Sequence, residues 1–206
     1  NILVIIFDDN NDFITGSNDR TIKISNIQTG QVKKTLIGHS SPIPTLVINS
    51  NGELISGAYD YTIIFWDMIT GQTKRNLSTE FIDYPVYLVI NKDNELVSGL
   101  TEGSILIWDM ETGAIKRNLT KIPSFIETLA VNKDNELLVG SFDGIIRILD
   151  MQTGQVKRNL TGHTDDVNSF VINKDNELIS ASNDNSIIVW DMQTGQIKKI
   201  LTEHTD

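Results

Sequence analysis

The feature that most constrains this chain is a pattern that recurs every 41 or 42 residues. Its clearest copy runs from Gly162 to Asp191, opening with Gly-His and closing with Trp-Asp. Short β-branched runs lie between these ends, separated by turns rich in Asn and Asp. Such runs are typical of antiparallel strands joined by tight hairpins. A fourth run follows at 196–201, so the repeating unit is predicted to be a four-stranded antiparallel meander.

Five copies of the closing dipeptide follow one another at steps of 41, 42, 41 and 41 residues. They are Ser25-Asn26, Trp66-Asp67, Trp108-Asp109, Leu149-Asp150 and Trp190-Asp191. A Thr-Gly pair follows every copy, and the sequence NKDNE recurs at 91–95, 132–136 and 173–177. This pattern resembles the WD40 (β-transducin) repeat family, in which each repeat forms one blade of a β-propeller. The resemblance covers essentially the whole chain.

The resemblance implies an all-β fold, a WD40-type β-propeller of five four-stranded antiparallel blades. We expect one propeller domain over 1–206. Its approximate blades are 1–37, 38–78, 79–119, 120–160 and 161–201, with 202–206 starting a further repeat or closing the ring. Because 206 residues make five whole periods, a closed five-blade wheel and an arc of a larger wheel both stay open. Closure would bring His204 to Thr15 and Asp19 of blade 1. One thin sheet cannot bury both of its faces alone, so each blade is expected to cover the next.

Two blades carry His, Ser, Asp and Trp at the same repeat positions. They are His39, Ser56, Asp60 and Trp66 in blade 2, and His163, Ser180, Asp184 and Trp190 in blade 5. A nucleophilic triad needs an exposed hydroxyl and an oxyanion hole, whereas these serines fall in mid-strand, outside any Gly-x-Ser-x-Gly turn. The resemblance implies a buried hydrogen-bond network that ties each blade together. We therefore predict no catalytic residues and no enzyme activity.

The other three blades depart from this set of residues. Blade 1 has Ser25 at the Trp position, and blade 3 has Glu80 near the His position and Glu102 for Asp. Blade 4 keeps Asp143 but has Ile122, Val139 and Leu149 at the His, Ser and Trp positions. These blades are predicted to lack the complete network.

Composition excludes several classes of partner. The net charge of −10 argues against nonspecific binding to nucleic acid or to an anionic membrane. The chain has no Cys, three His and no metal-ligand spacing, so neither a metal nor a cofactor is expected. The longest apolar run, Ile2–Phe7, has only the length of a strand, so no membrane insertion is expected. A cytoplasmic location is expected. Basic pairs recur on the fourth strand of every blade, where they are interpreted as protection of the outer edge.

The propellers that this chain resembles usually bind partners through the loops of one face. The positions that the resemblance places there are polar in blades 1 and 5 but aromatic or proline in blades 2 to 4. The candidates are Pro42, Pro44, Tyr59, Tyr84, Phe125, Glu127 and Phe142. Because exposed aromatic clusters mark protein interfaces, this patch is predicted to bind a protein or peptide. In the alternative, Phe125 and Phe142 turn inward to fill the space left by the missing His, Ser and Trp of blade 4.

The predicted function is a non-catalytic docking platform for a protein or peptide, within a larger polypeptide or complex. A small-ligand or glycan-binding propeller is the alternative. Further blades, from the same or another chain, are a second kind of expected partner.

Overall fold

The computed structural model describes residues 1–79 and 83–202, and all of the regular elements in these two ranges are β-strands. The strands are β1 Ile2–Phe7, β2 Asp12–Ser17, β3 Thr21–Asn26, β4 Val32–Ile37, β5 Thr45–Ile48, β6 Leu54–Gly57, β7 Thr62–Trp66, β8 Thr73–Ser78, β9 Pro85–Ile90, β10 Leu96–Leu100, β11 Ser104–Trp108, β12 Ile115–Lys121, β13 Ile126–Val131, β14 Glu136–Ser141, β15 Ile145–Asp150, β16 Val156–Thr161, β17 Val167–Ile172, β18 Glu177–Ser182, β19 Ile187–Asp191 and β20 Ile197–Leu201.

The strands form five four-stranded antiparallel sheets in which neighbours in sequence are neighbours in space. Blades 1 to 5 are the sheets β1–β4, β5–β8, β9–β12, β13–β16 and β17–β20. The predicted fold class, an all-β propeller type with five four-stranded blades, is confirmed. Glu80 and His204, which the sequence assigned to the His positions of blade 3 and of a following repeat, lie outside the described residues.

The chain divides into two compact units. Unit 1 comprises residues 1–100 and 106–117, and contains blades 1 and 2 with most of blade 3. Unit 2 comprises residues 101–105 and the residues from Asn118 onward, and contains blades 4 and 5.

Within each unit, the facing sides of consecutive blades form shared apolar cores. Leu46, on the first strand of blade 2, packs in one cluster with residues of blade 1 that include Ile14 and Ile24. Leu88 of blade 3 packs in the same way with residues of blade 2, and Phe170 of blade 5 with residues of blade 4. These three first-strand side chains are at most 8% exposed. Burying a side chain of this size contributes about 1.5–3 kcal/mol, so each blade stabilises its neighbour.

The NKDNE segments are hairpin turns that close on themselves. In Asn132–Glu136, Asn132 Oδ1 accepts hydrogen bonds from the backbone N–H groups of Asp134 and Glu136, and its Nδ2 donates to Glu136 Oε2 at 2.7 Å. The fourth residue, Asn135, has a φ of 60°, a left-handed conformation that Asn tolerates better than most side chains. The same bonds form at Asn91–Glu95 and Asn173–Glu177. The recurrence of the motif therefore has a local structural cause.

The Asp of each Trp-Asp position closes the turn between the third and fourth strands. In blade 5, Asp191 Oδ1 accepts hydrogen bonds from the backbone N–H groups of Gln193 and Thr194, and its carbonyl accepts one from Gly195. Gly195 has a φ of 75°, which a β-branched residue would adopt only with strain. The hydrogen bonds from the backbone lower the pKa of Asp191. Asp67, Asp109 and Asp150 make the equivalent bonds.

The basic pairs on the fourth strands have two roles that the edge-protection interpretation did not include. The first residue of each pair forms an ion pair with the acid at, or immediately before, the start of the second strand of its own blade. These pairs are Lys33–Asp12, Lys74–Glu53, Lys116–Glu95, Lys157–Glu136 and Lys198–Glu177, with N···O distances of 2.5–3.0 Å. The second residue reaches the next blade: Lys34 Nζ donates to Met68 O at 2.9 Å, and Arg158 Nη1 donates to Gln193 O at 3.2 Å. The fourth strands therefore connect neighbouring blades as well as forming the outer edge of each blade.

Across the described residues, no helix has the length and apolar character needed to cross a membrane.

Candidate functional site

The His, Ser, Asp and Trp predicted for blade 2 meet in the structure. Ser56, in the middle of β6, is fully buried, and Trp66 Nε1 donates to its Oγ at 2.7 Å. His39 Nε2 lies 2.7 Å from the same oxygen, and His39 Nδ1 lies 3.0 Å from Asp60 Oδ2. All hydrogen bonds of this network are formed if the Ser56 hydroxyl donates to His39 Nε2 and the protonated Nδ1 of His39 donates to the Asp60 carboxylate.

Blade 5 repeats this geometry. His163 Nε2 lies 2.7 Å from Ser180 Oγ, Trp190 Nε1 donates to that oxygen at 2.8 Å, and His163 Nδ1 lies 2.9 Å from Asp184 Oδ2. Burial by itself would raise the pKa of Asp184, but hydrogen bonds from Ser186, from the Thr164 backbone and from His163 lower it well below the usual range. The pKa of Asp60 is lowered in the same way, by His39 and Thr62 against the effect of burial.

These two groups of residues are unsuited to nucleophilic chemistry. Both serine side chains have zero exposure, and each hydroxyl oxygen is occupied by an indole N–H and an imidazole nitrogen. A substrate carbonyl therefore has no path to Ser56 or Ser180. In the described residues, no group of three or more His, Asp or Glu is arranged to hold a metal ion.

Blades 3 and 4 keep only parts of the arrangement. Trp108 Nε1 of blade 3 donates to Ser98 Oγ at 2.8 Å. In blade 4, Arg147 replaces the missing His as the partner of the remaining acid. Its Nη2 donates to Asp143 Oδ2 at 2.6 Å, and its Nη1 donates to Ser141 Oγ at 2.7 Å.

Arg147 and Ser141 were not among the site residues predicted from the sequence. The signal was present, since Arg147 occupies the repeat position that holds Ile64 in blade 2 and Ile188 in blade 5. A basic residue also stands there in blade 1, where Lys23 lies 3.9 Å from Asp19. Blades 1 and 4 therefore each carry a cation at this position that forms an ion pair with the acid of the hairpin.

Phe125 and Phe142 are exposed, at 49% and 54% of their surface. The alternative in which they turn inward to fill blade 4 is therefore wrong. Ile122, Val139 and Leu149, at most 2% exposed, fill that space themselves. The two Phe rings are perpendicular, with centroids 6.0 Å apart, and the Phe142 N–H donates to the Phe125 carbonyl at 3.0 Å.

A depression of about 530 Å³ lies beside the two Phe rings, entirely within unit 2. Its lining includes Lys121, Pro123 and Ser124, and the carboxylates of Glu102 and Asp143. Apolar walls with a few charged groups at the margin are typical of sites that take a side chain or a short peptide segment.

A second aromatic cluster lies in unit 1. Tyr59, 41% exposed, is perpendicular to Tyr84 with ring centroids 5.6 Å apart. Tyr61 packs on Tyr84, with ring centroids 4.4 Å apart. The Tyr61 hydroxyl donates to the Tyr84 hydroxyl at 3.1 Å. Tyr61 was not among the site residues predicted from the sequence, although it adjoins Asp60 in the hairpin.

Tyr61 has a φ of 65°, in the left-handed region where a bulky side chain is strained. Two other blades have Gly at this position, Gly103 and Gly144, and blade 5 has Asn185. Strain of this kind persists only where surrounding contacts compensate for it, and the Tyr84 contact is one such compensation.

The remaining candidates are less exposed. Pro42 and Pro44 are half-buried, and the Pro42 carbonyl accepts a hydrogen bond from the Tyr59 N–H at 3.1 Å. Glu127 is also half-buried, and burial, followed by the charge of Asp166, raises the pKa of its carboxyl. The corresponding positions of blade 5 form a polar group, in which Asn183 Nδ2 donates to Asp166 Oδ2 at 3.1 Å.

Comparison with known proteins agrees with the repeat pattern. The family model described as "WD domain, G-beta repeat" matches residues 30–67 and 154–191, the two segments that contain the complete His, Ser, Asp and Trp sets. Among solved structures, the crystal structure of the computationally designed Ika8 protein is similar, with a TM-score of 0.76 and 35% sequence identity. The match covers 92% of this chain, which spans 57% of the length of the Ika8 chain. No curated protein matches the chain.

Proposed function

The chain belongs to the WD40 repeat family, and we propose that it is a non-catalytic docking platform for a protein or peptide. Domains of this family generally serve as interaction scaffolds, and a propeller fold agrees with such a role. The function of an individual scaffold depends on the residues it exposes rather than on its fold.

The observation that carries the proposal is the perpendicular pair Phe125 and Phe142, half-exposed beside the depression in unit 2. Large aromatic rings are costly to leave in water, and they supply most of the binding free energy where they contact a partner. Tyr59 and Tyr84 in unit 1 occupy the equivalent repeat positions. We assign all four, with Pro42, Pro44 and Glu127, to partner contact.

Blades 2 and 5 carry the complete networks, and their buried hydrogen bonds make each of these two blades rigid. Rigidity lowers the entropic cost of binding because little needs to be ordered when the partner arrives. In the proposed role, His39, Ser56, Asp60 and Trp66 and their counterparts in blade 5 stabilise the blades and do not contact the partner.

The proposal is tested by selecting peptides from a random display library on the immobilised chain, and then measuring their affinity for a Tyr59→Ser, Phe125→Ser, Phe142→Ser triple variant. The loss of three aromatic contacts should weaken binding at least about a hundredfold. The matched control is Val32→Ser with Val156→Ser, which removes apolar side chains of similar exposure, 53% and 47%, from fourth strands.

Circular dichroism should show both variants folded, since all of the substituted side chains are exposed. Peptides that bind the triple variant as tightly as the wild-type chain would refute the assignment of these residues. An absence of peptide binders, together with specific signals on a glycan array, would favour a glycan-binding propeller instead.

A further inference from the structure

The first strand of blade 1 exposes apolar side chains whose equivalents in the other blades are buried or half-buried. Ile5 is 55% exposed, whereas its repeat equivalents Leu46, Leu88 and Phe170 are 5%, 5% and 8% exposed. Leu46 packs against blade 1, Leu88 against blade 2 and Phe170 against blade 4, in each case the preceding blade. The side of blade 1 that carries Ile5 is therefore shaped to receive a preceding blade. Phe7, two residues further along the regular part of β1 and on the same side as Ile5, is 56% exposed.

Blade 5 leaves the opposite kind of surface uncovered. In blade 4, Ile146, Ile148 and Leu160 have zero exposure, because blade 5 packs on them. Their repeat equivalents in blade 5 are only half-buried; they are Ile187, Val189 and Leu201. Val171, the repeat equivalent of Val47, which packs into the core shared by blades 2 and 3, is 60% exposed. This side of blade 5 is therefore shaped to receive a following blade.

The polar link between blades is also incomplete at blade 5. Lys34, Arg75 and Arg158, the second basic residues of their fourth strands, each donate to a backbone carbonyl in the turn between the third and fourth strands of the next blade. The repeat equivalent in blade 5 is Lys199, which is exposed and has no hydrogen-bond or ion-pair partner within residues 1–79 and 83–202. The equivalent turn of blade 1 contains Ile27, whose side chain is 51% exposed.

We propose that the chain associates with a second copy of itself, the exposed side of blade 5 in one copy packing on the exposed side of blade 1 in the other. The occupant is indicated by the contacts within the chain. In blades 2, 3 and 5, the surface equivalent to the exposed side of blade 1 is covered by the preceding blade. In blade 4, the surface equivalent to the exposed side of blade 5 is covered by the following blade. The two exposed surfaces are therefore complementary to each other. Lys199 of one copy would then donate to the Ile27 turn of the other, as Lys34 does to the Met68 turn.

A contact of this kind is heterologous, since two different surfaces meet, and this gives a sharp test. Ile5→Asp removes the blade 1 surface and leaves that of blade 5, whereas Val189→Asp does the reverse. Each variant alone should be a monomer of 23.0 kDa. An equimolar mixture should form a dimer, because one intact surface of each kind is available and the other two are blocked.

Native mass spectrometry and sedimentation velocity on the full 206-residue chain give the masses over a range of concentrations. The wild-type chain should form dimers or larger species as its concentration rises, and added salt should favour them because each copy has a charge of −10. The control Ile69→Asp, at a side chain 90% exposed on another part of the molecule, should associate like the wild-type chain.

Three results would overturn the proposal. The first is a wild-type chain that stays monomeric at every concentration, as it would if its own blades or other segments covered both surfaces. The second is association that survives Ile5→Asp or Val189→Asp alone. The third is a mixture of the two folded variants that stays monomeric while the wild-type chain associates. Circular dichroism of each variant shows whether it is folded.

Discussion

Arg147 Nη2 donates to Asp143 Oδ2 at 2.6 Å, and the arginine side chain is only 9% exposed. Its Nη1 also donates to Ser141 Oγ, and the guanidinium pairs with the acid as the imidazole does in blades 2 and 5. Burial by itself would raise the pKa of Asp143, but the hydrogen bonds from Arg147 and Ser141 lower it. A blade that lost three of its four network residues has thus kept its acid paired.

Arg147→Ala should lower the free energy of unfolding by about 1–3 kcal/mol, because Ser141 and Asp143 lose their hydrogen bonds from the guanidinium and the buried arginine side chain leaves a cavity. Arg147→Ile should cost less, since Ile occupies this position in blades 2 and 5 and an apolar side chain of fitting volume can replace a buried ion. Urea denaturation of the two variants measures the difference. Equal destabilisation by Ala and Ile would refute the packing part of this account.

Asp184→Ala should lower the free energy of unfolding by about 1–3 kcal/mol, because His163 and the Thr164 N–H lose their acceptor. Thermal or urea denaturation measures the change. Asp9→Ala serves as the control, as Asp9 is exposed at a hairpin tip. An unchanged denaturation midpoint for Asp184→Ala would contradict the network interpretation of blade 5.

The stability of the chain should fall in acid because the pKa values of Asp60 and Asp184 are lowered in the folded state. A carboxyl with a lowered folded-state pKa contributes stability that is fully present above its unfolded value, near 4, and is lost as the pH falls toward the folded value. The free energy of unfolding should therefore be steady from about pH 5 to neutrality and decrease below about pH 4.

Urea denaturation at a series of pH values checks this dependence. The Asp184→Asn variant should be less stable at neutral pH and should lose less stability on acidification, because its amide does not titrate. Asp9→Asn, the control, should keep the wild-type pH profile. A profile unchanged by Asp184→Asn would show that this carboxyl does not contribute to acid sensitivity.

The blades were predictable from the sequence because the features that define them are local and repeated. Trp190-Asp191 and the Thr-Gly pair after it fix the turn that follows the third strand, and NKDNE fixes the hairpin between the first two strands. Each of these signals acts within a few residues through backbone hydrogen bonds, so its effect follows from its position in the repeat.

Contacts that join distant positions were harder to predict. The orientation of Phe125 depends on whether the side chains of Ile122 and Leu149 are large enough to fill the interior of blade 4. The sequence pattern alone does not give that packing volume. Tyr61 was not predicted because its partner, Tyr84, is 23 residues away and belongs to the next blade. Lys34 and Arg158 looked like edge residues because the carbonyls they bind lie 34 and 35 residues away.

The hairpins at Asn91–Glu95, Asn132–Glu136 and Asn173–Glu177 share their sequence, their internal hydrogen bonds and the left-handed conformation of their fourth residue, at φ values of 58°, 60° and 62°. Lys and Asp are exposed at each tip. To an antibody that recognises this tip, one polypeptide therefore offers the same epitope three times, and a labelled Fab fragment should report a stoichiometry of more than one per chain.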